Sequence, residues 1–382
     1  MKRKIAILGS TGSIGKTLLD LISKDKKKFN ITLLSTNKNY IELLKQAKSF
    51  NVKNLIVIDR KSFEKLNKKN KFGRFNIYNN FDSFNKIFNN KIDYTMSSII
   101  GLDGLKPTLE IIKFTKKIVI ANKESIVCGW NLIEKELKKY KTEFIPVDSE
   151  HFSIWYSLQN NKSNYNIDKI FLTASGGPFL SRSIKNINLI DALKHPNWKM
   201  GKKISIDSAT MMNKVFEIIE AKNIFNISYD KLSILTHPSS YVHAIIKFKD
   251  GLTNIILHDT TMKIPIFNTL YSENYKNLKT KKLDLEKLND LDFRKIDIKK
   301  FPLVKIINYL PDEVSLFETV IVSANDKLVN YYLNGQIKFD EIQTKLLNFI
   351  NKKEFRKFKR IKPKKIENII NLNKYVRLKI KL

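Results

Sequence analysis

Short apolar runs separated by amphipathic stretches recur through the first 148 residues. Ile5–Gly9 reads as a short buried strand, followed by a helix with Ile14, Leu18, Leu19 and Ile22 at helical spacing. Ile31–Ser35 and Asn54–Ile58 read as strands flanking a helix at Tyr40–Phe50. Tyr94–Ile100 and Lys117–Ala121 add strands around a helix at Pro107–Phe114, and Phe144–Val147 closes the series near Asp148. Strands that alternate with helices predict an α/β unit built on a doubly wound parallel sheet.

Beyond Ser149 the rhythm changes. Strand-like runs at Lys169–Ala174, Leu232–Thr236, Val242–Phe248 and Thr253–Leu257 mix with a long helical stretch from Ala209 through Ile224, which predicts an α+β unit over residues 149–270. Residues 271–297 are lysine-rich and irregular, the pattern of a connecting segment. Helical periodicity dominates from there, predicting a C-terminal helical bundle over 298–382.

Composition narrows the classes. Of 382 residues, 42% are hydrophobic, enough for large cores, and no apolar run approaches the ~20 residues that cross a bilayer. Met1-Lys2-Arg3-Lys4 passes straight into Ile5–Gly9, with no visible targeting segment. The single cysteine, Cys128, excludes an internal disulfide and suits a reducing, cytoplasmic location. The net charge of +33 would suit a nucleic-acid partner, but lysine travels with asparagine and isoleucine, as in Asn67-Lys68-Lys69-Asn70-Lys71. The reading preferred is compositional drift over solvated surface, in Lys65–Lys71 and Asn351–Lys365 alike, with no nucleic-acid or membrane partner.

Candidate chemistry begins at Gly9-Ser10-Thr11-Gly12-Ser13-Ile14-Gly15. Between strand and helix, glycines permit a tight turn and close approach to a pyrophosphate, which the helix N-terminus then receives. A plain glycine turn is the alternative. The next strand ends Leu34-Ser35-Thr36-Asn37-Lys38-Asn39, without the carboxylate that would hold an NAD ribose. Ser, Asn and Lys there favour a 2′-phosphate, hence NADP(H).

Asp148-Ser149-Glu150 offers two carboxylates that point the same way if the segment is extended, a hard-oxygen half-site for Mg²⁺ or Mn²⁺. A solvated turn would look the same. Asp207-Ser208-Ala209-Thr210 reads as a helix start, with Asn213 and Glu217 on one face and Lys214 beside them. That is a candidate phosphate site or, more blandly, a capped amphipathic helix. Ser175-Gly176-Gly177-Pro178 is a second loop able to present N–H groups, and His195-Pro196-Asn197-Trp198-Lys199-Met200-Gly201 could form a lid or a packing anchor. His151 reads as an orienting or structural residue before an extra ligand.

Together these segments resemble the 1-deoxy-D-xylulose-5-phosphate reductoisomerase family. The match rests on Gly9–Gly15, Ala121-Asn122-Lys123-Glu124-Ser125, Pro146–His151, Thr173–Phe179, His195–Gly201 and Lys203–Glu220, across roughly residues 1–270. The resemblance implies a Rossmann-like N-terminal sheet, an α+β catalytic domain and a C-terminal helical bundle. It implies Asp148, Glu150 and Glu217 as metal ligands, and Lys123, Ser149, Glu150 and His195 as catalytic. Ser175, Trp198, Ser208, Asn213 and Lys214 would join Lys123, Ser149, Glu150, His195 and Glu217 around a sugar phosphate. Thr11, Gly12, Ser13, Ile14, Lys38, Asn39, Asn122, Glu124, Met200, Gly201 and Met262 would line the NADPH site, with Trp198 and Met200 on a closing lid. A homodimer is implied by the resemblance alone. The family reaction rearranges 1-deoxy-D-xylulose 5-phosphate and reduces it to 2-C-methyl-D-erythritol 4-phosphate, with metal polarising the oxygens.

Some positions depart from the family pattern: Val215-Phe216 for Gly-Leu, Asn37 for glycine, and Thr261 and Lys263 for Asp and Arg around Met262. An NADP-dependent semialdehyde dehydrogenase is the enzymatic alternative, and would need Cys128 as a nucleophile. A basic nucleic-acid binder is the alternative of another class.

Overall fold

The protein is described by a computed structural model that covers all 382 residues except 71, 160–165, 181, 183, 185–186, 199 and 273–275. Lys71 of the first lysine-rich patch and Lys199 of the lid loop therefore lie outside the described residues. The chain forms two compact units. One comprises Met1–Ser125, Leu132–Asp148 and Met262–Leu278, the other Ile126–Asn131, Ser149–Thr261 and Lys279–Leu382.

In the first unit the order is β1 (Arg3–Leu8), α1 (Ser13–Ser23), β2 (Phe29–Thr36), α2 (Tyr40–Phe50), β3 (Asn54–Val57), α3 (Arg60–Lys69) and β4 (Asn76–Tyr78). There follow α4 (Phe84–Ile87), β5 (Ile92–Ser97), α5 (Leu105–Ile112), β6 (Thr115–Ile120), α6 (Lys123–Tyr140) and β7 (Glu143–Pro146). The strands form one sheet ordered β4-β3-β2-β1-β5-β6-β7 with every pairing parallel. Ile5, Ala6, Ile7 and Leu8 are fully buried, as the central strand of a sheet covered on both faces requires. The strand order reverses between β1 and β5, the switch point at which doubly wound sheets bind ligands.

The second unit opens with α7 (Ser149–Leu158), β8 (Ile167–Ala174), α8 (Leu189–Leu193), α9 (Lys202–Ala209) and α10 (Met212–Phe225). It continues through β9 (Leu232–Thr236), β10 (Val242–Phe248) and β11 (Thr253–Leu257). After α11 (Lys263–Leu270), which belongs to the first unit, come α12 (Leu285–Asn289), β12 (Arg294–Lys295), α13 (Phe317–Leu333), α14 (Phe339–Ile350), α15 (Lys353–Arg356) and α16 (Ile366–Lys379). The second sheet is mixed, ordered β11-β10-β8-β9-β12. Ile154 of α7 and Ile218 and Phe225 of α10 pack with Ile170 and Leu172 of β8 and Ala244 and Ile246 of β10. Burial of such side chains contributes ~1.5–3 kcal/mol each, so the core fixes α7 and α10 against one sheet face. No helix among the described residues is long and apolar enough to cross a membrane.

Two local expectations need correction. The helix expected from Ala209 through Ile224 is two helices, broken at Thr210 and Met211, and Met211 is left-handed at φ 64°. Asp207-Ser208-Ala209 thus ends α9 instead of starting a helix: Lys203 forms an ion pair with Asp207 one turn on, which holds that turn helical. The segment at Asp148–Glu150 is not an extended run either, since α7 starts at Ser149.

The C-terminal helices carry a buried acid. Glu318, in the first turn of α13, accepts hydrogen bonds from the Ser315 N–H at 3.2 Å and the Ser315 hydroxyl at 2.6 Å. Burial outweighs those bonds and pushes its carboxyl up to about 7. Below the unfolded value of 4.5 both states hold the proton. Between 4.5 and about 7 the unfolded chain releases it first, so this group's effect is a loss of stability as pH rises. Glu318→Gln keeps an acceptor oxygen and cannot ionise. It is expected to stabilise the protein by roughly 1–3 kcal/mol at pH 7.5 and by little at pH 4.5. Urea unfolding midpoints of both proteins at the two pH values check this; a difference independent of pH would refute it.

Candidate functional site

In the first unit, the loop after β1 has the backbone that its glycines require. Gly9 is left-handed at φ 81°, and a Cβ there would lie 2.8 Å from the Ser98 carbonyl oxygen. A Cβ on Gly15, in the first turn of α1, would sit 2.5 Å from Ser10 Cα and 2.7 Å from the Gly9 carbonyl oxygen. Any side chain at Gly15 would push the loop off the helix. The loop is also tied to the end of β2. Gly9 N–H donates to Ser35 Oγ at 2.9 Å, Thr11 and Thr36 share a hydroxyl hydrogen bond at 2.7 Å, and Ser10 Oγ donates to Gln46 Oε1 at 2.8 Å. Gly12 and Ser13 are left exposed, with Thr11 and Ile14 half-buried.

Beyond β2, Asn37, Lys38 and Asn39 are exposed, and Asn39 caps α2 by accepting from Glu42 N–H. Asn122 caps α6 through Ser125 N–H at 2.6 Å and also donates to the Gly101 carbonyl at 2.7 Å. Glu124 is buried in the same turn, and Lys123 is paired with Asp148 after β7. Met262 precedes α11, where Lys263 lies 3.7 Å from Asp20.

The second unit gathers most of the other residues. Lys214 of α10 is buried, with its ammonium 2.8 Å from Glu150 Oε1 of α7 and hydrogen-bonded to Glu217 Oε2. Asn213 Nδ2 donates to Glu217 Oε1 at 2.5 Å, and the Ser149 hydroxyl donates to Glu150 Oε2 at 2.6 Å. Burial works against the charge of Glu150, but the Lys214 ammonium outweighs it and holds the carboxyl well below the usual carboxylate range. Burial likewise works against charge on Lys214, and Glu150 and Glu217 reverse that, keeping it cationic. His151 is fully buried and its Nε2–H donates to the Glu217 backbone carbonyl at 2.9 Å, with Nδ1 3.9 Å from a Glu220 carboxylate oxygen.

A second group surrounds Ser175. His195 Nδ1 accepts from the N–H groups of Asn197 at 3.2 Å and Trp198 at 3.0 Å, so its proton sits on Nε2. Burial, followed by the charge of Lys214, lowers its pKa to about 4, so it is neutral at pH 7. Nε2–H therefore donates to Ser175 Oγ at 2.9 Å, and Gly177 N–H donates to the same oxygen at 3.0 Å. With both lone pairs engaged, the Ser175 hydroxyl turns its proton outward as an anion donor. A Cβ on Gly177 would come within 3.2 Å of the Ser208 carbonyl, so this loop lies directly on the end of α9. Ser208, expected at a helix start, is instead on a last turn, yet it is half-buried next to the Ser175 loop.

Sequence reasoning missed His243. It is buried in β10, with its ring centroid 6.1 Å from Trp198 and 3.8 Å from a stacked His258. The available signal was His237-Pro238-Ser239-Ser240-Tyr241-Val242-His243, two of five histidines at one strand entrance. Met200 is half-buried and Gly201 is exposed just before α9.

A doubly wound sheet with this glycine loop, joined in one chain to an acidic cation cluster and an anion-donor loop, defines a dinucleotide-binding oxidoreductase with a cation site. Residues 5–129 match the family model described as 1-deoxy-D-xylulose 5-phosphate reductoisomerase, and residues 144–225 and 257–379 match its two C-terminal domain models. The 1-deoxy-D-xylulose 5-phosphate reductoisomerase of Pelagibacter ubique (strain HTCC1062) is 62% identical over 383 residues, 99% of this chain and 98% of that protein. That of Wolbachia pipientis wMel is 41% identical over 89% of this chain and 88% of its own length. A reductoisomerase structure from Zymomonas mobilis in complex with NADPH superposes with a TM-score of 0.87 at 30% identity, over 99% of this chain and 98% of that one. A DOX-P reductoisomerase structure in complex with NADPH, fosmidomycin and magnesium gives 0.90 at 31% identity, over 98% and 97%. The chain belongs to the 1-deoxy-D-xylulose 5-phosphate reductoisomerase family.

Gly15→Ala tests the first loop. NADPH affinity, read by quenching of protein fluorescence, is expected to fall about tenfold or more while the far-ultraviolet circular dichroism stays unchanged, because the clash is confined to Gly9 and Ser10. Unchanged affinity would dissociate this loop from cofactor binding.

Proposed function

We propose that this protein converts 1-deoxy-D-xylulose 5-phosphate to 2-C-methyl-D-erythritol 4-phosphate with NADPH and Mg²⁺ or Mn²⁺, on the non-mevalonate route to isoprenoid precursors. The observation that carries the reading is the cluster of Glu150, Lys214 and Glu217, together in one unit with the outward-donating hydroxyl of Ser175. Hard carboxylate oxygens suit a small dication, and the Lys214 ammonium between two of them marks a place where a cation is wanted. Asp148, Glu150 and Glu217 are the proposed ligands. When bound, the metal supplies Lewis-acid polarisation of the substrate's oxygens and NADPH supplies the hydride.

The chain's own residues supply the rest. Ser175, Ser208, Asn213 and Lys214 bind the phosphate, with His195 holding the Ser175 proton outward. Phosphate binding is remote from the reacting carbons, so its energy goes into positioning. Lys123 and Ser149 orient the oxygenated carbons beside Glu150. Trp198 and Met200 exclude water as the lid closes. Thr11, Gly12, Ser13 and Ile14 receive the pyrophosphate, Lys38 and Asn39 the 2′-phosphate, with Asn122, Glu124, Gly201 and Met262 around the remainder of the cofactor. The family resemblance extends the proposal to a cytoplasmic homodimer, which a light-scattering mass of a single chain would overturn.

The deciding experiment mixes protein, Mg²⁺ or Mn²⁺, NADPH and 1-deoxy-D-xylulose 5-phosphate and follows nicotinamide absorbance. Substrate-dependent NADPH loss that a chelator stops is expected. Glu217→Gln should lower kcat by roughly a thousandfold, the scale of removing one group that stabilises developing charge. Cys128→Ala should retain turnover, since Cys128 is fully buried in α6. The opposite pattern would favour an acylating dehydrogenase.

A further inference from the structure

Lys214 faces two demands. Its four-carbon stem is buried in α10, and its ammonium bonds both Glu150 and Glu217, whose ligating oxygens lie within 4.8 Å of one another. Yet Asn213 and Lys214 also belong to the group assigned to the phosphate, and the charge of the ammonium is felt by His195, which is hydrogen-bonded to Ser175. One ammonium has three protons, two of which the carboxylates hold in this structure. A dication between the same oxygens would stand against that ammonium as a like charge, and the carboxylates would no longer need it. A flexible lysine can then redirect its donors, which a rigid guanidinium fork does less readily.

We infer that Lys214 is an exchangeable counter-ion: it neutralises Glu150 and Glu217 until a divalent cation takes them, then turns to the substrate's phosphate. Cation and phosphate therefore strengthen each other's binding through one side chain. By linkage the factor is the same in both directions. This inference rests on the function proposed above, and adds to it an order of assembly within the second unit. The phosphate pocket gains its cationic donor when the acidic cluster is filled.

The test uses the full chain without NADPH or sugar phosphate. Free Mn²⁺ is followed by electron paramagnetic resonance as protein is titrated, with and without saturating inorganic phosphate. Phosphate should tighten Mn²⁺ binding by roughly five- to tenfold, and Mn²⁺ should tighten phosphate binding by the same factor. In Lys214→Gln the cluster loses its internal competitor, so Mn²⁺ alone should bind about tenfold more tightly than in the wild type, and phosphate should no longer alter it. Lys214→Arg retains the charge and should retain coupling in the same direction, which keeps the idea testable if the neutral variant misfolds. Absence of coupling in the wild type would overturn the inference. So would coupling that persists undiminished in Lys214→Gln, the mark of phosphate touching the cation directly, or weaker Mn²⁺ binding by that variant. Wild-type protein that binds no Mn²⁺ and oxidises no NADPH would remove the proposed function itself. Mn²⁺ binding with turnover but without coupling would remove only the exchange.

Discussion

Two carboxylates and one ammonium, Glu217 and Lys214 buried and Glu150 largely so, set the terms for the second unit. An isolated buried charge costs several kcal/mol, and attraction between partners repays this only with close geometry and further hydrogen bonds. Glu150 has both Lys214 and Ser149, and Glu217 has both Lys214 and Asn213. The arrangement demands that α7 and α10 keep their register, because Glu150 is on one and Glu217 on the other. The apolar side chains of those helices do this work: Ile154 lies one turn from Glu150 and Ile218 adjoins Glu217, both in the core against β8 and β10. A polar cluster that contributes little net stability is thus placed by packing that contributes a great deal.

The group around Ser175 follows a different logic, a chain of hydrogen bonds whose directions are forced. Backbone N–H groups at Asn197 and Trp198 can only donate, which makes Nδ1 of His195 an acceptor, Nε2 a donor and Ser175 an acceptor twice over. The outward proton on Ser175 is the consequence. Because burial keeps the imidazole neutral down to about pH 4, the chain of donors holds its direction throughout the neutral range. The break at Thr210 and Met211 belongs to the same design. A continuous helix would carry Ser208 along one rod with Glu217; the left-handed Met211 lets α9 meet the Gly176–Gly177 loop while α10 meets α7.

Much of this was readable from the chain, for identifiable reasons. Buried parallel strands give uninterrupted apolar runs, so β1, β2 and β6 stood out, and α2 was legible residue for residue from its periodicity. Strands β9, β10 and β11 were also read at their true limits. Less legible were elements without a one-sided pattern. Helix α6, with 18 residues, was not read as a helix at all: Ser125, Ile126, Val127 and Cys128 are all buried, so no polar face marks its first turns, and Gly129 interrupts its helical backbone. β4 is only three residues long. The helix break at Thr210–Met211 had no glycine or proline to announce it, and a left-handed methionine leaves no mark in composition. The candidate site was legible where chemistry is written in a rare residue type, such as His195, one of five histidines, or in a close pair such as Asp148 and Glu150. It was hidden where a tertiary contact decides, as with His243.

The core positions next to the charged cluster obey a different requirement. Val215 and Phe216 are both fully buried, Phe216 with the Lys203 ammonium 5.8 Å from its ring. They face the core, where apolar volume is the requirement and repacking can satisfy it. Asn213, Lys214 and Glu217, on the same helix, face the charged cluster, where one atom out of place leaves a buried charge without a partner. Helix α10 therefore carries two tolerances a few residues apart. Many lysines of this chain form ion pairs on exposed surface, whereas Lys214 is buried between Glu150 and Glu217 and Lys123 is largely covered beside Asp148. A lysine is informative here through the partner it must keep, and the overall charge of +33 carries almost none of that information.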